Sequence, residues 1–374
     1  MKKKNIPLIA GFCLLLAVIN LSFFLLPKQK FSTNEKRVLQ SAPKFSWNRL
    51  ANGSLFSSID SYISDHFSGR DFWVGFDAYY QQLCGLNAAG EIYQGKDGWL
   101  MERPVESGKT FQDNVQVLQQ FAKKTELPMT LLSVPTTGYI MKDKLPRLHD
   151  AYPDAEMLKT LQTACNGNLK WAGITNVLLD HSSGDTFYHT DHHWTSRGAY
   201  QAYRVLAQMW GLPAADESEY KITAVNGFYG TAYSKSGLWA EKPDTVELWR
   251  DPFVQTKVSV FDENKPFPTE QDGMFFEKHL EEADKYPVFL DGNHARVMIT
   301  SNVSSGKLLI VRDSFAHCLA PFLARHFQQI DLVDLRYFKE QTVSQMIEQN
   351  HYDQVLFVFG LASLAEERSI QWLE

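Results

Sequence analysis

The run Tyr188-His189-Thr190-Asp191-His192-His193-Trp194-Thr195 crowds three imidazoles and a carboxylate into five consecutive residues. A carboxylate beside an imidazole fixes the tautomer and favours the cation formed when the far nitrogen takes a proton. Far downstream, the apolar run Lys307-Leu308-Leu309-Ile310-Val311 leads into Arg312-Asp313-Ser314-Phe315. Brought together, the two stretches supply the groups of nucleophilic catalysis: Ser314 as nucleophile, His193 as base, Asp191 to orient the base. In an extended loop residues two apart point the same way, so Asp191 and His193 face one cavity and His192 turns away. His189 and His192 read as plain loop residues. A serine between a strand and a helix also lies where free backbone N–H groups can hold an oxyanion. Alone, an Asp-Ser pair there is equally well a helix cap; the Asp/His loop is what gives it weight.

Positioning such residues is work for an α/β scaffold. Helical spacing covers Phe111 to Lys124, Ala155 to Ala164, the stretch from Ser196 to Met209, and Val343 to Gln349. Short apolar runs at Met129–Val134, Ile174–Leu179, Val297–Thr300, Leu308–Val311, Ile330–Leu335 and Val355–Phe359 read as strands, with a helix through Phe327 that either starts near Ala320 or kinks at Pro321. Strands separated by helices imply a parallel sheet flanked by helices. Thr195 or Ser196 caps the helix after the histidine loop, and Gly211 stops it. Ile92-Tyr93 and Trp99-Leu100 around Gly95-Lys96-Asp97-Gly98 form a hairpin signal. Residues 214–290, with turns such as Asn226-Gly227, read as an irregular insertion.

The N-terminus is different in kind. Lys2-Lys3-Lys4 precede an apolar run from Ile6 to Leu26, long enough to span a bilayer. Basic residues ahead of it place the remainder outside the cytoplasm, in a single-pass arrangement. No A-x-A site follows, which favours an uncleaved anchor over a signal peptide. The organisation is thus an anchor over 1–27, a polar tether and amphipathic helix over 28–90, and the α/β domain over 91–374. The helix in the middle segment runs from Leu55 to Phe67, with Ser54 as cap and Gly69 as stop. With 25 Phe, 15 Tyr and 9 Trp in 374 residues the chain is not disordered, and with a net charge of −6 and no basic stripe it is no nucleic-acid binder. Four scattered cysteines make no disulfide scaffold.

Asp191-His192-His193-Trp194-Thr195 with Arg312-Asp313-Ser314-Phe315 resembles the DHHW proteins of Gram-positive bacteria, relatives of the alginate O-acetylation proteins with an SGNH-hydrolase-like domain. Asn34-Glu35-Lys36-Arg37, Asp65-His66-Phe67 with Arg70-Asp71, Gly95 to Leu100, Phe228-Tyr229-Gly230-Thr231 and Gly292-Asn293-His294 extend the resemblance, in order, over nearly everything after the membrane segment. In that group the Asp-x-His-Trp motif precedes the serine, reversing the usual SGNH order. The resemblance implies an extracytoplasmic serine O-acetyltransferase or carbohydrate esterase acting on a cell-surface polysaccharide. Acyl groups would come through a multi-pass membrane O-acyltransferase, and no cofactor or metal is called for. Asp191, His193 and Ser314 carry over as the triad, and Gly292 and Asn293 as oxyanion donors. Tyr188 and Trp194, beside the motif, are further substrate candidates. Arg312 stands where alginate-type relatives have glycine; a cation there would narrow the site or hold an anionic glycan.

Two other classes fit parts of the sequence. A metal-dependent hydrolase could be built on His189, Asp191, His192 and His193, although a His-x-His-x-Asp-His pattern is incomplete and DHH-phosphoesterase motifs are missing upstream. A non-catalytic glycan-binding or assembly protein on a degenerate SGNH fold would use surface aromatics to stack on sugars.

Overall fold

The computed structural model describes residues 6–180, 185–262, 265 and 267–374. Two compact units emerge: the described residues up to Gly90 together with Tyr233–Ala240, and Glu91–Ala232 with Glu241–Glu374.

In the first unit, α1 (Ile6–Leu25) buries none of its residues and is long and apolar enough to cross a membrane. The basic start at Lys2-Lys3-Lys4 lies outside the described residues. Helix α2 (Ser54–Asp65) begins after Gly53, so Ser54 is its first helical residue and not its cap. Gly69 does not end α2. In left-handed conformation (φ 69°) it opens a further helix, α3 (Arg70–Leu83), which the sequence reading passed over.

The segment read as a tether is folded in part. Phe31–Ser32 pairs with Arg37–Val38. Arg37 Nη1 reaches Asp65 Oδ2 at 3.0 Å, and its Nε donates to Glu35 at 2.6 Å. Asp65 also accepts from the backbone of Gln40 at 2.7 Å, and Asn34 donates to Asp71 at 2.8 Å. The Asn34–Arg37, Asp65–Phe67 and Arg70-Asp71 motifs therefore interlock. The hydrogen bond from Arg37 outweighs burial and holds the Asp65 carboxyl below its usual range.

The second unit opens with the expected hairpin, β1 (Ile92–Gln94) against β2 (Leu100–Glu102), with Asp97 left-handed in the turn (φ 57°). Its main sheet contains β3 (Met129–Val134), β4 (Leu169–Trp171), β7 (Thr256–Phe261), β8 (Thr269–Asp272), β9 (Arg296–Ser301), β10 (Lys307–Arg312), β11 (Gln329–Val333) and β12 (Gln354–Gly360). The order is β8-β7-β9-β11-β10-β12-β3-β4. From β11 to β4 all pairs are parallel, but β8, β7 and β9 add antiparallel pairs, so the sheet is mixed and not purely parallel.

Ile174–Leu179 contains a short helix, α6 (Thr175–Leu179), and β4 precedes it. Ile174 and Leu178 are both buried, and a spacing of four suits a helix, not a strand. The supposed irregular insertion holds β7, β8 and a separate antiparallel hairpin, β5 (Lys221–Phe228) with β6 (Asp244–Arg250). Asn226-Gly227 is no turn. Gly227 (φ 87°) marks a bulge inside β5.

Alternate strand residues face opposite sides. Leu309, Val311, Val355, Phe357 and Leu131 pack with α4 (Lys109–Lys124), α5 (Asp154–Ala164), α9 (Val343–Asn350) and α10 (Leu361–Glu366). The other face meets α7 (Ser196–Trp210), whose Trp210 indole donates to Thr130 of β3 at 3.1 Å, and α8 (Ala316–Leu323) packs against α7. Helix α8 starts at Ala316 with Pro321 inside it. Phe357, fully buried in the first layer, supplies a stability test. Phe357→Ala should cost roughly 3–5 kcal/mol in urea unfolding, and a cost under about 1 kcal/mol would contradict this packing.

Candidate active site

Residues 186–195 form a tight excursion, closed where Phe187 faces Trp194 and the Thr195 N–H meets the Thr186 carbonyl at 2.9 Å. Thr195 accepts from Gly198 N and so caps α7, as expected. The loop is not extended. Asp191 Oδ1 accepts from the His193 backbone at 2.9 Å and from His193 Nδ1 at 2.5 Å, so an Asx turn brings the two side chains together. His192 does not turn away either; its ring lies 4.0 Å from that of His193. His193 Nε2 is 2.7 Å from Ser314 Oγ. Ser314 is half-buried, while Asp191 and His193 are buried.

A buried carboxylate must be satisfied on both oxygens. Asp191 Oδ2 accepts from the Thr231 backbone at 2.6 Å. Burial opposes its charge, but the His193 and His192 rings and the Thr231 amide prevail, holding the carboxyl well below its usual range. The Phe228–Thr231 motif thereby gains a purpose. A Cβ on Gly230 would sit 2.1 Å from the Asp191 Cβ, so only glycine allows the approach. Asp244, on β6, accepts from the backbones of His189 (2.9 Å) and Thr190 (2.8 Å) and pins the loop's other arm.

On the serine side, Asp313 Oδ1 accepts from Phe315 N at 3.0 Å and Oδ2 from Gly360 N at 2.7 Å. Those bonds fix the tip of β10 against β12. They also correct one expectation. The N–H groups of Phe315, Ala316 and His317 are used by Asp313 and by the Ser314 carbonyl, so the start of α8 is not an open set of donors. Ser314 N–H has no protein acceptor among the described residues.

The remaining sequence candidates divide. Arg312 is buried, with Nη1 at 3.3 Å from Asp334, Nη2 at 3.3 Å from the His294 carbonyl, and a longer contact of 3.5 Å to Asn293 Oδ1. It fastens the Gly292-Asn293-His294 turn to β10 and does not face a glycan. Asn293 is exposed and Gly292 (φ 84°) is buried against Pro287. Trp194 is fully buried and its indole donates to the Phe315 carbonyl at 3.1 Å, joining the two halves of the site, so it is no substrate contact. Tyr188 is buried edge-on to Phe228 and Tyr286, which likewise removes it from substrate. The sequence reading missed Tyr286. Its ring stacks on His193 at 4.1 Å and 14°, and its hydroxyl donates to the Ser314 carbonyl at 3.2 Å. A lone Tyr-Pro in an irregular stretch carried no signal for it.

Asp191, His192 and His193 bring donor atoms within 4.8 Å of one another. Asp191 is already divided between His193 and Thr231, which leaves it poorly placed to serve a cation.

The fold is an SGNH-hydrolase-like α/β fold, a mixed sheet flanked by helices. Residues 92–228 match the family model described as the SGNH hydrolase-like domain of acetyltransferase AlgX. Among solved structures, a DHHW family protein from Eubacterium siraeum aligns with a TM-score of 0.63 and 23% identity over 75% of this chain and 93% of that one. Bacillus cereus PatB1 with a sulfonyl adduct aligns with a TM-score of 0.63 and 20% identity over 76% of this chain and 98% of that one. No curated protein sequence matches the chain.

Because the Asp191 pKa is depressed in the folded state, its contribution is present above the ordinary carboxylate pKa of about 4 and is lost as pH falls below it. Unfolding free energy of the wild type should therefore fall on that acid side, by up to about 1.4 kcal/mol per pH unit for each extra proton the unfolded chain binds. Asp191→Asn should be less stable at neutral pH and show a shallower acid-side slope. Equal slopes in denaturant titrations at stepped pH would refute the assignment.

Proposed function

We propose that the protein is an extracytoplasmic serine O-acetyltransferase or esterase acting on a cell-surface polysaccharide. The observation that carries this reading is the continuous line Asp191–His193–Ser314, at 2.5 Å and 2.7 Å. His193 Nε2 takes the Ser314 proton as Oγ attacks the acyl carbonyl. Ser314 N–H holds the resulting oxyanion. Asn293 is the second donor, its amide oxygen turned toward Arg312 and its NH2 left to donate. The intermediate collapses as His193 returns the proton to the leaving group. A sugar hydroxyl or water, deprotonated by His193, then releases the acyl group from Ser314. The stacked Tyr286 ring limits how far the imidazole can tilt between these steps.

Family likeness supports acetyl as the acyl group, since the matched model is that of an acetyltransferase. The α1 helix serves as the membrane anchor and keeps the domain beside a multi-pass acyltransferase that delivers acyl groups. The sulfonyl adduct of PatB1 motivates a sulfonylating probe for this chain.

Ser314→Ala and His193→Ala should each lower turnover of a chromogenic acetyl ester by at least about 10³-fold, with Ser314→Ala also losing covalent sulfonylation. Asn293→Ala should lower kcat by about 10²-fold while labelling persists. Undiminished labelling of the Ser314→Ala protein would falsify the mechanism, and polysaccharide binding without any Ser314-dependent turnover would point to a glycan-binding role.

A further inference from the structure

The first unit carries an aromatic surface that the catalytic reading does not use. Helix α3 buries Gly75 and Ala78 on one side, where Gly75 approaches Gly237 and Trp239. Small residues face inward, and the large ones do not. Phe72 (65% exposed), Phe76 (55%), Tyr80 (54%) and Leu83 (86%) fall on one stripe on the far side. At 100° per residue those four lie within about 80° of arc, roughly opposite Ala78, with Gly75 on the flank. Phe72, Phe76 and Tyr80 stack in sequence, with centroids 6.1 Å apart at each step. In α2, Phe56, Ile59 and Ile63 are exposed in the same way. A helix facing water would carry polar residues at these positions, and a contiguous apolar patch of this kind marks an interaction surface.

The occupant is indicated by what the patch adjoins. The end of α1 is fastened to the turn between α2 and α3, where Ser22 Oγ donates to Ser68 Oγ at 2.7 Å. Phe23 of α1 packs edge-on against Tyr62 of α2 at 6.2 Å. The two exposed apolar faces therefore begin where the chain leaves an apolar helix none of whose residues is fully buried. Amphipathic helices so placed lie in the headgroup layer, and Trp and Tyr favour that layer because their rings are apolar with a polar tip. We propose that α2 and α3 form a collar that lies in the lipid headgroup layer of the leaflet through which α1 exits. Trp73, half-exposed beside the stripe and packed against Phe72 at 5.2 Å, is its natural reporter. The proposal rests on the reading of α1 as a membrane anchor.

The test reconstitutes the full chain into zwitterionic phosphatidylcholine vesicles, because α2 and α3 carry Asp60, Asp71 and Asp77 and so are not built for anionic lipid. Two reporters separate the two claims. Mass-mapped reaction of Cys13, exposed within α1, with a water-soluble maleimide reports on the anchor. The Trp73 emission, taken as the difference between wild type and Trp73→Phe, reports on the collar. The expected result is an unmodified Cys13 together with a Trp73 component quenched at least about two-fold more by lipids brominated near the headgroup than by lipids brominated at the chain end. Phe76→Glu, with unchanged circular dichroism, should weaken that quenching. A protected Cys13 with Trp73 open to aqueous acrylamide and insensitive to brominated lipid overturns the collar alone and leaves the patch to a protein partner. A modified Cys13 overturns the anchor reading, and the collar with it.

Discussion

One buried carboxylate sets the terms for the rest of the site. Asp191 has both oxygens engaged, one by the imidazole and backbone of His193 and the other by the Thr231 amide. Leaving either oxygen unmet would carry the full cost of burying part of a charge. Meeting both requires the backbone at Gly230 to approach to a distance that no side chain tolerates. The same turn is held from its other side, where Gly230 N donates to the Thr190 hydroxyl at 2.9 Å and Thr190 is held by Asp244. Gly230 lies two residues beyond the end of β5 and Asp244 opens β6. The β5–β6 pair that looked like an insertion is therefore the clamp of the Asp191–His193 loop.

The serine side obeys the same logic with a second acid. Asp313 joins the β10 tip to Gly360 at the end of β12, and the Gly360 position is tight enough that a Cβ would meet the Phe315 ring at 2.5 Å. Arg312, one residue earlier, points to the opposite face and secures the Asn293 turn and Asp334. A buried guanidinium with such partners is expensive to replace by removing one member alone. Burial lowers its pKa, and Asp334 works to keep it charged. Its contacts tie the Asn293-His294 turn and Asp334 to the end of β10.

Much of this is legible in the amino-acid sequence. The central strands Met129–Val134, Lys307–Arg312 and Gln354–Gly360 are mostly apolar, because strands covered on both faces have no polar side to show. The Asp/His loop stands out by composition, and the Asp-Ser tip gains weight only beside it. What escaped notice has a common physical cause. The β7–β8 and β5–β6 ladders sit at or beyond the sheet edge, where burial is partial and alternation is blurred; β5 reads as mostly exposed. Ile174–Leu179 is too short for periodicity to separate helix from strand. Tyr286 and Asp244 act through contacts that exist only in the folded chain, and no local pattern encodes them. Arg312 was misjudged because a charge next to a reactive serine looks functional until its ion pair with Asp334 is seen.

The two halves of the constellation differ in how much fold they need. Asp191 and His193 are two residues apart and meet through a local turn, so their pairing costs little chain entropy. His193 and Ser314 are 121 residues apart, and closing that distance requires the sheet, α7 and α8 to be in place. The scaffold's task is to carry one hydroxyl to an acid–imidazole pair that is local in sequence and completed by the Thr231 amide. Trp194 shows how this is done, since its indole bonds the carbonyl of Phe315, the residue that follows the serine. Reversal of the motif order along the chain is then of no chemical consequence. A loop and a strand tip need only converge, and either may come first.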